Sequence, residues 1–228
     1  VGSGTNSGTY KFCSTLVHET AHNINSHLIS KPQNDNYLPP YLLSEVISLF
    51  FERLFAISDE LYSHMNPLVE WPIFQRYIKN EQKDILVRSL SLVDFENSLY
   101  SLFERGHFNS NLVSQMFIDQ QKKYFGFDDH LDVSHLWQRD IYYLAYSPLK
   151  SRSYLYGVVL AEALLDRVRK EWVSLTVNQR NKQLKDCLFQ MSSKGVYATW
   201  SDYLKLCRMN NPLTVEDLVW GISKVLES

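Results

Sequence analysis

The chain has 228 residues, enough for one sizeable hydrophobic core, and 45% of them are apolar against 21% charged. A formal net charge of -2, with no basic run interleaved with aromatics, excludes the electrostatic footprint of a nucleic-acid binder. No apolar run reaches the roughly 20 residues that cross a bilayer, which excludes a membrane-spanning helix.

Cys13, Cys187 and Cys207 are odd in number and widely spaced, so they form neither a disulfide framework nor a thiolate metal site. We therefore expect a globular protein of a reducing compartment, the cytoplasm, with no nucleic-acid or membrane partner. Residues 1–228 are expected to form one unit. The opening VGSGTNSGTY is neither a signal peptide nor a methionine start, so a piece of a longer chain is expected.

In chain order, residues 1–10 contain three Gly and two Ser and read as a loop. KFCSTLVHETAHNINSHLIS, residues 11–30, has apolar residues at helical spacing. The next ten, KPQNDNYLPP, contain three Pro and sustain no period. From Tyr41 to about His64, Leu42, Val46, Leu49, Phe50, Leu54 and Ile57 recur at three- and four-residue steps and predict a long amphipathic helix. Further helices are predicted at 67–80, 82–105, 110–124, 135–146, 151–173, 176–191, 198–208 and 214–227. Strand alternation never persists, so the fold class is mainly α.

His18, Glu19 and His22 spell H-E-x-x-H on the first helix. Residues four apart share a helix face, so both imidazoles can point at one metal ion. Glu19 is turned from His18 by about 100° and suits a carboxylate that takes a proton from metal-bound water. A catalytic zinc site takes three protein ligands and keeps one position open. Glu45, an acid inside the strongly apolar YLLSEVISLFFERLF, is the candidate third ligand, since a buried carboxylate there needs a compensating cation. Glu52 falls on the same stripe and could accept from an imidazole N–H. His27, His64, His107, His130 and His135 lack partners at ligand spacing. On the residues alone the expectation is a Zn2+-dependent hydrolase in which His18, His22 and Glu45 hold the metal and Glu19 is the base.

HETAHNINSHLISKPQNDNYLPPYLLSEVISLFFERL resembles the zinc region of oligoendopeptidase F and the related thimet oligopeptidases, where the H-E-x-x-H helix precedes an A-E-x-x-S-x-x-x-E helix. Glu45, Ser48 and Glu52 match that second helix. VRSLSLVDFE, residues 87–96, resembles the family's F-R-Q-x-x-F-x-x-F-E segment through Arg88, Phe95 and Glu96. The FGF at 125–127, Trp137, RSYLYGVVLAEALL and the C-terminal SDYLKLCRMNNPLTVEDLVWGISKVLE also fit. Two positions differ. Ala21 stands where the family has Gly, and the family's His before the tyrosines is absent from RDIYYLAYSPLKSRSYLYG, where Tyr142 or Tyr143 occupies its place. The resemblance implies the catalytic half of a zinc oligoendopeptidase that cleaves short peptides and works with an N-terminal helical region of the same protein. It also implies that Tyr154 or Tyr156 bonds the oxyanion. Two other readings are a different H-E-x-x-H metallopeptidase, disfavoured by the lack of strands before the motif, and a catalytically silent helical interaction module that retains the motif.

Overall fold

A computed structural model describes residues 7–30, 43–58, 70–106, 108–126, 136–138, 150–192, 199–207 and 214–227. The described residues form eight helices and no strand: α1 (Ser7–Ser30), α2 (Ser44–Ala56), α3 (Trp71–Glu104), α4 (Ser110–Phe125), α5 (Lys150–Trp172), α6 (Val177–Ser192), α7 (Trp200–Cys207) and α8 (Val215–Glu227). The mainly α class is therefore correct. Among the described residues no helix is long and apolar enough to cross a membrane.

Local chemistry sets several helix ends. Thr176, Thr199 and Thr214 each precede a helix and exchange hydrogen bonds with a residue three positions on, Gln179, Asp202 and Asp217 respectively. Each reciprocal pair satisfies amide groups that the first helical turn leaves without partners. Asn109 accepts from the Asn111 amide to open α4, and Gly126, at φ 63, closes it in the left-handed conformation that glycine adopts without strain.

Three readings differ from the structure. Part of the loop expected at residues 1–10 is helical, because α1 already begins at Ser7 and carries Tyr10 into the apolar contact with Trp71 and Phe74. The segments expected at 67–80 and 82–105 are one unbroken helix, α3, because Glu81 and Gln82 are good helix formers and nothing between them interrupts the ladder. Pro72 sits at its start, where a missing N–H costs nothing. The helix expected to reach His64 ends at Ala56, where the Ile57 amide turns back to the Leu54 carbonyl. Most of the helix expected at 135–146, with Tyr142 and Tyr143, lies outside the described residues.

At the centre α2 packs along α5 and against α1, with α3, α7 and α8 also against α5. Val46, Ile47, Leu49 and Phe50 of α2 and Val159, Leu160, Leu164 and Leu165 of α5 are essentially removed from water. Each such side chain contributes about 1.5–3 kcal/mol. Close contact between α2 and α5 depends on Gly157, since a Cβ there would lie 2.9 Å from Leu49 Cδ1 and 3.0 Å from Glu45 Cβ. Inside the same interface Arg53 and Glu162, both buried, form a two-bond ion pair at 3.1 and 3.4 Å. A second cluster of Tyr10, Ala56, Trp71, Phe74 and Ile78 joins α1, α2 and the start of α3. A third, around Phe95, Val113 and Phe117, fastens α4 to α3.

Candidate metal centre

α1 brings Ser14, His18, Ala21, His22 and Asn25 to one face, and that face lies against α2. α2 answers with Glu45, Ser48 and Glu52, three and four residues apart and all buried. Asn25 accepts a 2.6 Å hydrogen bond from the Ser192 hydroxyl, which ties the end of this face to α6.

The three proposed ligand atoms meet. His18 Nε2 lies 3.1 Å from His22 Nε2 and 3.2 Å from Glu45 Oε2, and His22 Nε2 lies 3.4 Å from the same oxygen. A tetrahedral zinc with bonds of about 2.0–2.1 Å sets neighbouring ligand atoms about 3.3 Å apart, so this triangle matches one face of its coordination shell. The donor set also fits zinc chemically, with two imidazole nitrogens and one carboxylate oxygen.

The remaining nitrogen of His18 fixes its orientation. Its Nδ1 lies 2.9 Å from Glu52 Oε1 and donates to it, which turns Nε2 toward Glu45 as an acceptor facing acceptors. Lone pairs at such distances repel unless a proton or a metal lies among them. Without metal, burial lowers the basicity of His18, but hydrogen bonds to Glu45 and Glu52 and their negative charges outweigh it and lift the imidazole from 6.5 to about 10. Burial likewise works to raise Glu45, yet the bonds to His18 and His22 win and bring it from 4.5 to about 2. Its place in the first turn of α2, at the positive end of the helix dipole, favours the same charge. Ser48 Oγ, 3.2 Å from Glu45 Oε2, adds a donor.

Glu52 belongs to a longer relay. Burial raises its pKa, His18 opposes this, and the negative charge of Glu81 adds to the rise. Ser14 Oγ stands between the two acids, 3.4 Å from Glu52 Oε1 and 2.9 Å from Glu81 Oε2, and Tyr77 donates to Glu81 Oε1 at 3.3 Å. Sequence reasoning passed over all three residues. Ser14 was within its reach, being four residues before His18 on the ligand face. Glu81 and Tyr77 were not, because only the packing of α3 against α1 and α2 brings them near.

No family model, curated protein or solved structure matches this chain.

The remaining candidates are placed as follows. Glu19 is exposed, one position on from His18. Tyr154 is half-buried, packs against the main core and lines a cavity of about 160 Å³ with Arg88, Ser89, Lys150 and Ser151. It precedes Gly157 by three residues and so shares the face of α5 that touches Glu45. Tyr156, turned about 200° from Tyr154, packs edge-on against Trp200 with ring centres 4.9 Å apart. Phe95 and Glu96 are buried, and Arg88 is exposed. His27 is exposed, while His64, His107, His130 and His135 lie outside the described residues.

Proposed function

We propose that the protein is a zinc-dependent peptidase in which His18, His22 and Glu45 hold the metal. The triangle of 3.1, 3.2 and 3.4 Å among their ligand atoms, with Glu52 orienting His18 from behind, carries this reading. Zinc bound there would supply a water that ionises near neutral pH and a Lewis acid for a peptide carbonyl. Glu19 is the general base, exposed beside His18 where substrate and water arrive. Tyr154 is the better of the two tyrosines for the oxyanion, because it shares the Gly157 face of α5 while Tyr156 is packed on Trp200. The resemblance of the α1–α2 segment to oligoendopeptidase F adds the substrate class, short peptides. Phe12 and Leu16 are exposed on the face of α1 that also carries Glu19, and the N-terminal helical region implied by the resemblance would cover them.

The experiment has two parts. Zinc content of the purified chain should be about one per molecule and should be lost in His18→Ala, His22→Ala and Glu45→Ala. Glu19→Gln should keep the metal while peptide hydrolysis by the full-length protein disappears. Turnover at wild-type rate in Glu19→Gln would reject the mechanism, and full zinc content in Glu45→Ala would reject the third ligand. A chain that binds zinc stoichiometrically but hydrolyses no peptide in its full-length form would instead be the silent interaction module. Tyr154→Phe removes one hydroxyl and should lower kcat about a hundredfold with little change in KM, since the bond is made in the transition state.

A further inference from the structure

Away from the metal centre, α2, α3 and α5 line an open cleft of about 530 Å³, within the size range of small-molecule sites. Its walls carry four cations: Arg53 near the end of α2, Arg76 and Lys79 in the early turns of α3, and Arg169 in the last turn of α5. Ala56, Ile57 and Gln75 complete the lining, and among the described residues no carboxylate faces it.

The charge is more than the fold requires. Arg53 is only 4% exposed and spends Nε and Nη2 on Glu162, leaving Nη1 without a protein partner among the described residues. Arg76, Lys79 and Arg169 make no ion pair or side-chain hydrogen bond among the described residues. Four positive charges are offset by the one carboxylate of Glu162 and by the C-terminal ends of α2 and α5, worth about half a negative charge each. Roughly two positive charges remain uncompensated in a chain whose overall formal charge is -2.

We propose that this cleft binds the phosphate group of a small phosphorylated molecule. A phosphate carries about 1.5 to 2 negative charges near pH 7, which matches the excess, whereas a single carboxylate carries one. Its oxygens also suit the fork of an arginine, and three arginines converge here. Arg53 is the fixed element, clamped by Glu162 inside the α2–α5 interface, while Arg76, Lys79 and Arg169 close around the ligand from the rim. This rests on observations separate from the metal centre.

The test uses inorganic pyrophosphate as probe on the 228-residue chain after zinc has been removed by chelation and dialysis, because zinc and pyrophosphate complex each other. Calorimetric titration should show saturable binding at one site. A unit charge about 4 Å from a unit anion is worth about a factor of five even in bulk water, so the double variant Arg76→Gln/Arg169→Gln should weaken binding about twentyfold or more. Both residues are exposed, so the fold should survive, which circular dichroism can verify. A control pair that removes as much charge elsewhere, Lys185→Gln/Lys205→Gln, should bind as the parent does. Absence of saturable binding, or equal losses in the two pairs, overturns the proposal. So does a tetra-aspartate peptide that binds as tightly as pyrophosphate, since the site would then read charge and not phosphate.

Discussion

Zinc uptake at this centre should release one proton from His18. In the metal-free chain that imidazole lies between Glu45 and Glu52 with a pKa raised to about 10, so near pH 7.5 it is almost wholly protonated. Zinc needs its Nε2 lone pair, and the proton must leave. Displacing it from about 2.5 units above the working pH costs about 3 kcal/mol, taken from the intrinsic metal affinity. The apparent affinity should therefore tighten about tenfold between pH 7 and pH 8. Calorimetry in buffers of different ionisation enthalpy counts the protons, and a competing chelator followed against pH gives the slope. No proton release and a flat affinity over that range would mean that His18 is already neutral, and the account of three acceptors bridged by a proton would fail. The same shifts set the stability of the metal-free chain. The raised His18 contributes stability fully present below pH 6.5 and lost as pH rises through about 10. The lowered Glu45 contributes stability present above pH 4.5 and lost as pH falls through about 2.

Glu52→Gln should keep the fold but lower zinc affinity by about 10- to 100-fold, since the group that orients and polarises His18 is weakened; unchanged affinity in a chelator titration would remove Glu52 from the centre. Glu162→Ala leaves Arg53 buried without its carboxylate and should cost about 3–5 kcal/mol in denaturant unfolding, while Arg53→Met/Glu162→Leu should recover most of it. Gly157→Ala should destabilise by about 1–3 kcal/mol through the contacts with Leu49 and Glu45, and should also weaken zinc binding because Glu45 is the proposed third ligand. Gly221→Ala meets Val159 instead and should lower the melting temperature without touching zinc affinity.

The sequence by itself determined that the chain is helical and which residues of α1 and α2 face each other. Apolar spacing marks the buried stripe of each helix whatever it packs against, and four-residue steps put His18 and His22 on one face by backbone geometry alone. Glu45 could be singled out because an acid within an apolar stripe must find a cation or donors, and in the structure it finds both imidazoles. The helix starts expected at 176, 198 and 214 fall within two residues of those observed, at Val177, Trp200 and Val215, because the capping pairs of Thr176, Thr199 and Thr214 are local in the chain. The tertiary structure alone decided the rest, because those partners are far apart in sequence. Glu81 comes within one hydroxyl of Glu52 only through the packing of α3 on α1 and α2. The near contact of Gly157 with Glu45 depends on how closely α5 crosses α2, a distance no periodicity encodes. The cations of the second cleft, the buried Arg53 among them, gather only where the ends of α2 and α5 meet the start of α3. Periodicity tells a side chain which way to face along its own helix; the packing of three helices decides what it faces.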